Sequence, residues 1–218
     1  MKKILSLSCI IVSYLFLTIH VSAQPSNFKQ VTANAKVELE QKILEEFTKV
    51  KTLRCNFKEE KKMSFLDEVQ KSTGIMLFKA KNLLRWGYKV PNNYIFVLNN
   101  QKVYLKNDKG TSHFNTSSNK VMKTMSQLII GTINGESLRN NADFKIDYFT
   151  SSKEYLIILT PTDKNIKKFL SSIELYLDNS TFLATQMIMN EQSGDVTKYS
   201  FSNVEKNEEI ANSLFVLD

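Results

Sequence analysis

The sequence predicts an α+β protein in which one N-terminal helix precedes a large antiparallel sheet. One segment has apolar residues at helical spacing, about ten segments alternate apolar and polar residues, and turn-forming residues separate those segments. The chain has only six glycines and three prolines, and it contains no internal repeat or low-complexity linker. We therefore expect residues 24–218 to form a single domain, whose large antiparallel sheet curls or closes.

Residues 1–23 are predicted to be a cleavable secretory signal rather than part of the fold. Two lysines precede a mostly apolar stretch from Ile4 to Ile19, and Val21–Ala23 fits a small-residue cleavage site. The apolar stretch is shorter than the ~20 residues that a membrane-spanning helix needs. Lipid modification of Cys9 is the alternative, but such a cysteine should follow the apolar stretch, and Cys9 precedes most of it.

Charge and cysteine content limit the possible partners and the means of stabilisation. The chain has 29 basic and 22 acidic residues, a formal net charge of +7. Because the basic residues are scattered, we expect no nucleic acid as a partner, whereas a mild positive charge suits an anionic membrane surface or an acidic partner. Cys55 is the only cysteine after residue 23, which excludes an intramolecular disulfide. Its alternation with Leu53 and Phe57 predicts a buried, unreactive thiol in a strand.

The first element is predicted to be a helix from about Ala33 to Val50. Apolar residues recur at helical spacing from Leu39 onward, and either Thr32 or Asn34 suits the position that caps the helix. Five strands are expected to follow: Leu53–Glu60, Ser72–Phe78, Leu83–Val90, Tyr94–Leu98 and Val103–Lys106.

Two turns determine which side chains share a face of these strands. The later turn is a tight hairpin whose loop is either Asn99-Asn100 or Asn100-Gln101. Either loop gives the same shared face: Tyr94, Phe96, Val103 and Leu105. For the earlier turn, the hydrophobic pattern favours a three-residue loop, Ala80–Asn82, over a two-residue one, because a register slip would move side chains to the other face. The three-residue loop aligns Met76, Phe78, Leu84 and Trp86.

The regular strands are expected to stop after Asp108, and Gly110–Lys120 is predicted to be a polar loop. Val121–Ile133 is rich in apolar residues and is predicted to be a short helix. Further strands are expected at Phe144–Phe149, Glu154–Thr160, Ser171–Leu177, Phe182–Asn190 and Val196–Val204. Asp178–Ser180 and Gln192–Gly194 contain residue types that form turns between them.

The most specific motifs lie between Gly74 and Leu105 and include Phe78-Lys79, Asn82-Leu83-Leu84-Arg85-Trp86 and Pro91. Phe57-Lys58-Glu59 marks an early strand, and Phe201-Ser202-Asn203-Val204, Asn207 and Phe215 mark the end of the chain. Together with the signal, the first helix and the helical insert, these motifs resemble the LolA family of periplasmic carriers of outer-membrane lipoproteins. The resemblance covers most of residues 24–218 and is weakest from Asp143 to Asn190.

The resemblance implies an incomplete antiparallel β-barrel closed by short helices over an apolar cavity. It also implies a periplasmic carrier of the acyl chains of lipid-modified proteins, with an inner-membrane release complex as donor and an outer-membrane acceptor. We expect a monomer without cofactor or metal. The candidate ligand-binding residues are Phe78, Leu84, Trp86, Phe96, Val103, Leu105, Met125, Leu128 and Ile129. For any one of these residues, the alternative is an ordinary core position.

The chain departs from the family pattern around the lid. Ala80 stands where well-studied members have a basic residue that is thought to help close the lid, and Lys79 and Lys81 flank it as candidate substitutes. Leu84 stands where a phenylalanine is common in the cavity. These differences concern the control of the lid more than the fold.

The sequence favours a binding protein over an enzyme. Exposing an acyl chain to water costs about 0.8 kcal/mol per CH₂, so a lipid-modified protein needs an apolar cavity to cross an aqueous compartment. His113 is the only histidine after the leader, and no nucleophile elbow, phosphate loop or clustered metal-ligand motif is present. The alternative to a carrier is a periplasmic sensor or envelope-assembly module that uses the same half-barrel to bind a lipid or a protein. A hydrolase of unknown type is a weaker third hypothesis.

Overall fold

Strands with one apolar face form most of the protein in the computed structural model, which describes residues 27–80, 82–115 and 143–217, together with residues 130, 131, 133, 135 and 138. The strands are β1 (Lys29–Gln30), β2 (Thr52–Lys62), β3 (Val69–Lys79), β4 (Leu83–Val90), β5 (Tyr94–Asn99), β6 (Lys102–Asn107), β7 (Gly110–Asn115), β8 (Phe144–Thr150), β9 (Glu154–Pro161), β10 (Leu170–Asp178), β11 (Ala184–Glu191) and β12 (Val196–Lys206). Helix α1 (Ala33–Thr48) lies between β1 and β2, and short 3-10 helices span Ile166–Lys168 and Asn212–Phe215.

Within the described residues, the strands form one open sheet of twelve in the order β1-β8-β9-β10-β11-β12-β2-β3-β4-β5-β6-β7. All the neighbouring strands are antiparallel. The two halves of the chain meet where β12 pairs with β2, and Phe201 lies opposite Phe57 at this junction. The sheet is not closed, because β1 and β7 are its edges. This architecture confirms the predicted α+β fold with an incomplete antiparallel barrel.

Alternation along the strands collects the large apolar side chains on one face, which we call the inner face. In the first half of the chain, Cys55 lies opposite Met76, which in turn lies opposite Trp86. In the second half, Tyr148, Ile157 and Leu175 align in the same way across neighbouring strands. All of these residues belong to a single buried cluster, which is the main core of the protein.

Helix α1 packs on the inner face through one apolar stripe. Its buried residues are Leu39, Ile43 and Phe47, and their spacing of four places them on one side of the helix. The predicted helix is confirmed, although it ends at Thr48 rather than Val50. Thr32 occupies the capping position through its backbone, because its carbonyl oxygen accepts the Lys36 N–H at 2.9 Å while its side chain makes no capping hydrogen bond.

The structure decides between the two loops considered for the later hairpin. Asn99 pairs with Lys102, so the loop is Asn100-Gln101, and Asn100 has a φ of 54°. Asparagine tolerates this left-handed conformation better than most residues. The earlier turn has the three-residue loop that the pattern favours, because Lys79 pairs with Leu83.

The prediction of a polar loop from Gly110 is wrong over its first six residues. Gly110–Asn115 forms the edge strand β7, which pairs with β6. This strand lacks an apolar alternation because Phe114 is its only half-buried residue and the others are exposed. Residues 116–129 lie outside the described part of the chain. Of the predicted insert helix, residues 130, 131 and 133 are described, and they are helical. The predicted signal, residues 1–23, also lies outside the described part of the chain.

The segment after β12 crosses the opposite, outer face of the sheet and forms a second, smaller core there. Phe215 and Ile210 pack against Leu77 and Val97 in this core, and Phe215 is 0% exposed. An apolar residue of the C-terminal segment therefore covers strand residues that point away from the inner face.

Polar side chains of the strands hold this C-terminal segment by its carbonyl groups. The Lys79 ammonium donates to the Ile210 oxygen and to the Asn212 side chain, both at 2.7 Å. Arg85 donates to the Leu214 oxygen at 2.9 Å. Lys79 is thus engaged on the outer face, which argues against its suggested role as a lid contact. Lys81 lies outside the described residues.

We predict that Gly74→Ala destabilises the protein more than Gly87→Ala. A Cβ at Gly74 would overlap the Gly87 carbonyl oxygen and come within 2.6 Å of the Phe57 ring, whereas the nearest atom to a Cβ at Gly87 is the Ile75 oxygen at 3.7 Å. Overpacking of this kind costs about 1–3 kcal/mol or more, so urea unfolding should give that loss of unfolding free energy for Gly74→Ala. Gly87→Ala, in the adjacent strand, is the matched control, and equal losses would contradict the prediction.

Candidate ligand-binding site

An apolar pocket lies between the C-terminal end of α1 and the inner face of the sheet. About 720 Å³ of space free of protein atoms lies within it when its opening to solvent is included. The helix contributes Phe47, and Ile133 contributes from the insert between β7 and β8. The sheet contributes Leu53, Cys55, Met76, Trp86, Leu175, Ala184, Met187, Phe201 and Val204. The pocket therefore draws on both halves of the chain.

The turn between β10 and β11 contributes to the wall of the pocket. The chain between β10 and β11 turns over the pocket and adds Phe182 to its wall. Phe182 has a φ of 57°, and its backbone N–H donates to the Asp178 oxygen at 2.9 Å. The Asp178 carboxylate accepts the Ser180 hydroxyl at 2.6 Å and the Thr181 N–H at 2.8 Å. These two hydrogen bonds, that of Ser180 first, lower the pKa of Asp178 to about 2. This turn fixes a buried aromatic ring in the wall of the pocket.

The walls of the pocket are suited to hydrocarbon. The charged residues that contribute to the pocket are Glu46 and Lys206. Glu46 is held by the Lys49 ammonium at 2.8 Å, and this hydrogen bond lowers the pKa of the Glu46 carboxyl. Met76 and Met187 lie deeper, and the unbranched thioether side chain adapts to irregular ligands. Apart from Glu46, Thr181 and Lys206, the residues that line the pocket are apolar, so the pocket can hold an apolar chain.

Cys55 lies in the wall of this pocket and is not an activated nucleophile. Its side chain is 1% exposed, and burial raises the pKa of its thiol to about 12. A thiol with such a pKa is almost entirely protonated at neutral pH, and the thiolate is the reactive form. The buried, unreactive thiol expected from the alternation of Leu53, Cys55 and Phe57 therefore agrees with the structure.

Trp86 links the pocket to an aromatic cluster on the inner face. Its ring centroid lies 5.3 Å from that of Phe57 and 5.1 Å from that of Tyr199. The indole Nε1 is buried and has no hydrogen-bond acceptor in the described part of the chain. A buried donor without an acceptor costs about 1–3 kcal/mol. An oxygen atom of a ligand would offset that cost.

Beyond this cluster, the inner face becomes polar. The Tyr88 hydroxyl donates to the Glu59 carboxylate at 2.6 Å, and Lys61 pairs with Glu191 at 3.5 Å. Burial raises the pKa of Tyr88 and of Tyr199 well above the usual value for tyrosine. Both phenols therefore keep their protons at neutral pH. The inner face thus has an apolar end under α1 and a polar, aromatic end opposite.

The predicted site residues fall into three groups. Trp86 lines the pocket. Phe78, Leu84 and Val103 are at most 1% exposed and belong to the core cluster, while Phe96 and Leu105 are half-buried and pack against that cluster. Met125, Leu128 and Ile129 lie outside the described residues. All nine therefore stay predictions of ligand contact, and Trp86 has the most direct geometric support.

Several pocket residues were not singled out from the sequence. Phe47 belongs to the apolar stripe of α1, and the predicted strand Phe182–Asn190 begins at Ala184 instead, so Phe182 lies in the turn before it. Met187 and Phe201 do show the alternation of inner-face residues, which is the signal that could have found them. Alternation does not reveal which inner-face residues line the empty space of a pocket, because that depends on long-range packing.

The described residues contain no group of three or more histidine, cysteine, aspartate or glutamate side chains placed to hold a metal ion. Their helices include none with the length and hydropathy needed to cross a membrane. His113, the histidine considered for catalysis, lies in the exposed edge strand β7 and contacts the Tyr104 ring, with centroids 6.1 Å apart.

Comparisons with known proteins give one family and several similar folds. The family model of the outer membrane lipoprotein carrier protein LolA matches residues 48–218. A LolA superfamily protein from Nitrosomonas europaea is 13% identical, with 82% of this chain and 97% of that chain covered and a TM-score of 0.44. A chain of the MucA/MucB complex from Pseudomonas aeruginosa is 11% identical, with 84% of this chain and 61% of that chain covered and a TM-score of 0.48.

An uncharacterized conserved protein from Thermus thermophilus is similar in fold, with a TM-score of 0.50 and 7% identity over 84% of this chain and 94% of that chain. At such identity, the likeness concerns the fold alone. The comparison with curated proteins gives no significant match.

We predict that Cys55 resists thiol reagents in the folded protein. Because its thiol is buried and has a pKa of about 12, the native protein should remain unmodified by iodoacetamide at pH 8. The same reagent should modify the protein fully in denaturant, where the pKa returns to ~8.5. Mass spectrometry of protein beginning at Gln24 reports on this cysteine alone. Rapid modification without unfolding would contradict the assigned burial.

Proposed function

The chain belongs to the LolA family of outer membrane lipoprotein carrier proteins, and from this premise we propose that it carries the acyl chains of lipid-modified proteins from the inner to the outer membrane. The observation that carries the proposal is the apolar pocket between α1 and the inner face. The proposal places the protein in the periplasm as a monomer.

The chemistry of the pocket supports a role in transport. Each CH₂ group that leaves water contributes about 0.8 kcal/mol, so apolar contact alone supplies enough free energy to hold an acyl chain. Apolar contact is also non-directional. The chain can therefore slide out stepwise when an acceptor offers an equivalent apolar surface. A rigid set of hydrogen bonds deep in the pocket would oppose such a release.

The proposal includes two partners, an inner-membrane complex that releases the cargo to this protein and an outer-membrane acceptor that receives it. Family membership supports this part of the proposal.

The proposal also includes the absence of catalysis. The pocket wall offers one thiol, that of Cys55, and its raised pKa makes it a poor nucleophile.

A protein-binding role is the second candidate, and a groove on the outer face favours it. This groove has a volume of about 840 Å³ with its opening included, and Arg54, Arg85 and Lys89 line it beside Ile75 and Leu214. Burial lowers the pKa of Arg85, and its guanidinium donates to the Leu214 oxygen at 2.9 Å. Basic and apolar residues together suit an acidic segment of a partner protein, as a sensor or an assembly module would require.

Native mass spectrometry of the protein purified from its own cell envelope separates the two functions. The carrier hypothesis predicts a one-to-one complex with a lipid-modified protein, and addition of a detergent should dissociate it. Recovery of an empty protein in a stable complex with a partner that has no lipid would overturn the carrier hypothesis in favour of the second candidate.

We predict that Ala184→Trp weakens acyl binding without unfolding the protein. Ala184 is half-buried and lines the pocket, so an indole at this position would occupy space that the ligand needs. The affinity for a fluorescent fatty acid should fall at least tenfold, which corresponds to about 1.4 kcal/mol, while the melting temperature changes little.

Gln186→Trp is the matched control for this experiment. Gln186 lies two residues further along β11 and pairs with Ser200 and Tyr176, and it does not line the pocket. Its substitution should leave the affinity unchanged. Normal binding by Ala184→Trp, or an equal loss in both variants, would show that the pocket is not the acyl site.

A further inference from the structure

The two ends of the inner face have different chemistry along a single strand. In β2, Leu53 lines the apolar pocket, whereas Glu59 accepts a hydrogen bond from Tyr88. The six residue steps from Leu53 to Glu59 span about 20 Å at ~3.3 Å per residue. A ligand with a long apolar chain and a polar head could therefore contact both ends at once.

Glu59 is a carboxylate without a cationic partner in the described part of the chain. It is half-buried, and it takes part in none of the ion pairs formed by the described residues. Lys61, the next lysine on the same face of β2, is engaged by Glu191 at 3.5 Å. A half-buried carboxylate gains most from a positively charged group that approaches from the concave side.

The Tyr88 ring, whose hydroxyl donates to this carboxylate, belongs to an aromatic cluster on the inner face. The Tyr88 ring centroid lies 5.0 Å from that of Phe57 and 6.0 Å from that of Tyr94. Tyr199 lies 6.2 Å from Phe57 by the same measure. Rings of this kind attract cations through the negative charge of their faces, and this attraction strengthens as water is excluded.

We propose that Glu59, Tyr88 and Tyr199 form a binding site for the ammonium group of an acylated ligand. The site rests on the proposed function, because the hydrocarbon of the same ligand would lie toward the pocket under α1. The shared chemistry is an ammonium group attached to acyl chains. Two sources fit it, the free α-amine of a diacylated N-terminal residue and the ethanolamine head of a phospholipid.

The negative charge of Glu59 disfavours direct contact with an anionic group of a ligand. A phosphate or carboxylate in contact with Glu59 would meet a like charge in a partly buried environment, which is unfavourable. Tyr88 and Tyr199 both remain neutral at physiological pH, because burial raises the pKa of each. They therefore supply hydroxyl groups and ring faces and add no charge, and Glu59 sets the preference for a cation.

The first test compares matched ligands on the unmodified protein. A synthetic dipalmitoylated lipopeptide with a free α-amine is titrated beside the same lipopeptide with an acetylated amine. In a second arm, dipalmitoyl phosphatidylethanolamine is compared with dipalmitoyl phosphatidylglycerol. We expect the ligand with the ammonium group to bind about tenfold more tightly in at least one arm, as for a hydrogen bond between charged groups, and that arm identifies the source.

The second test uses Glu59→Gln with Glu60→Gln as the matched control. Glutamine keeps the shape of Glu59 and an oxygen that can accept the Tyr88 hydroxyl. Glu60 is the next residue of β2 and is exposed on the outer face, where it pairs with Lys71 at 3.9 Å. We expect Glu59→Gln to abolish the preference for the ammonium ligand and to leave the affinity for the acetylated lipopeptide unchanged. Glu60→Gln should retain the preference.

The outcomes separate the two proposals. If the unmodified protein binds none of the four ligands, both the carrier function and the ammonium site are overturned. If it binds all of them without preference, the ammonium site alone is overturned. A preference that persists in Glu59→Gln, or that Glu60→Gln also removes, overturns the assignment to Glu59. Should Glu59→Gln unfold, the comparison of ligands on the unmodified protein still decides.

Discussion

The need to cover an apolar concave face underlies the rest of the structure. Twelve antiparallel strands place a row of large apolar side chains on the inner face. Exposing their apolar surface to water is unfavourable by about 25 cal/mol per Å². Within the described residues, α1 is the one long helix on this face, and its 16 residues extend about 24 Å at ~1.5 Å per residue. A helix of this length cannot cover twelve strands. The pocket lies between the C-terminal end of this helix and the inner face.

How far the sequence predicts this fold depends on how local each signal is. Alternation located most of the strands and assigned residues such as Cys55 and Trp86 to the inner face, because alternation reports burial on one side. The strand β7 (Gly110–Asn115) was missed for the same reason: with both of its faces largely exposed, it has no apolar pattern. The pairing of β12 with β2 joins distant parts of the chain, and no local pattern encodes it.

The candidate site shows the same limit at the level of single residues. Leu84 and Trp86 are two residues apart on β4, and both point to the inner face. Leu84 is fully enclosed by the core, whereas Trp86 lines the pocket. Their sequence patterns are equivalent, so the difference depends on what packs above each residue. The polar end of the inner face was also missed, because Glu59 looks like a solvated carboxylate until Tyr88 is placed against it.

The proposed carrier function requires a protein that is stable both with and without a ligand, and the outer face supplies contacts that do not depend on a ligand. An unfilled cavity in a core normally reduces stability in proportion to its size. Here, the C-terminal segment forms a separate core on the other face, where Phe215 and Ile210 pack against Leu77 and Val97. Lys79 and Arg85 hold that segment by its carbonyl oxygens. Because these contacts do not involve the pocket, the strands that form its wall are supported from behind whether or not a ligand is bound. A ligand then adds stability by mass action, and its release returns the protein to a state that is already folded.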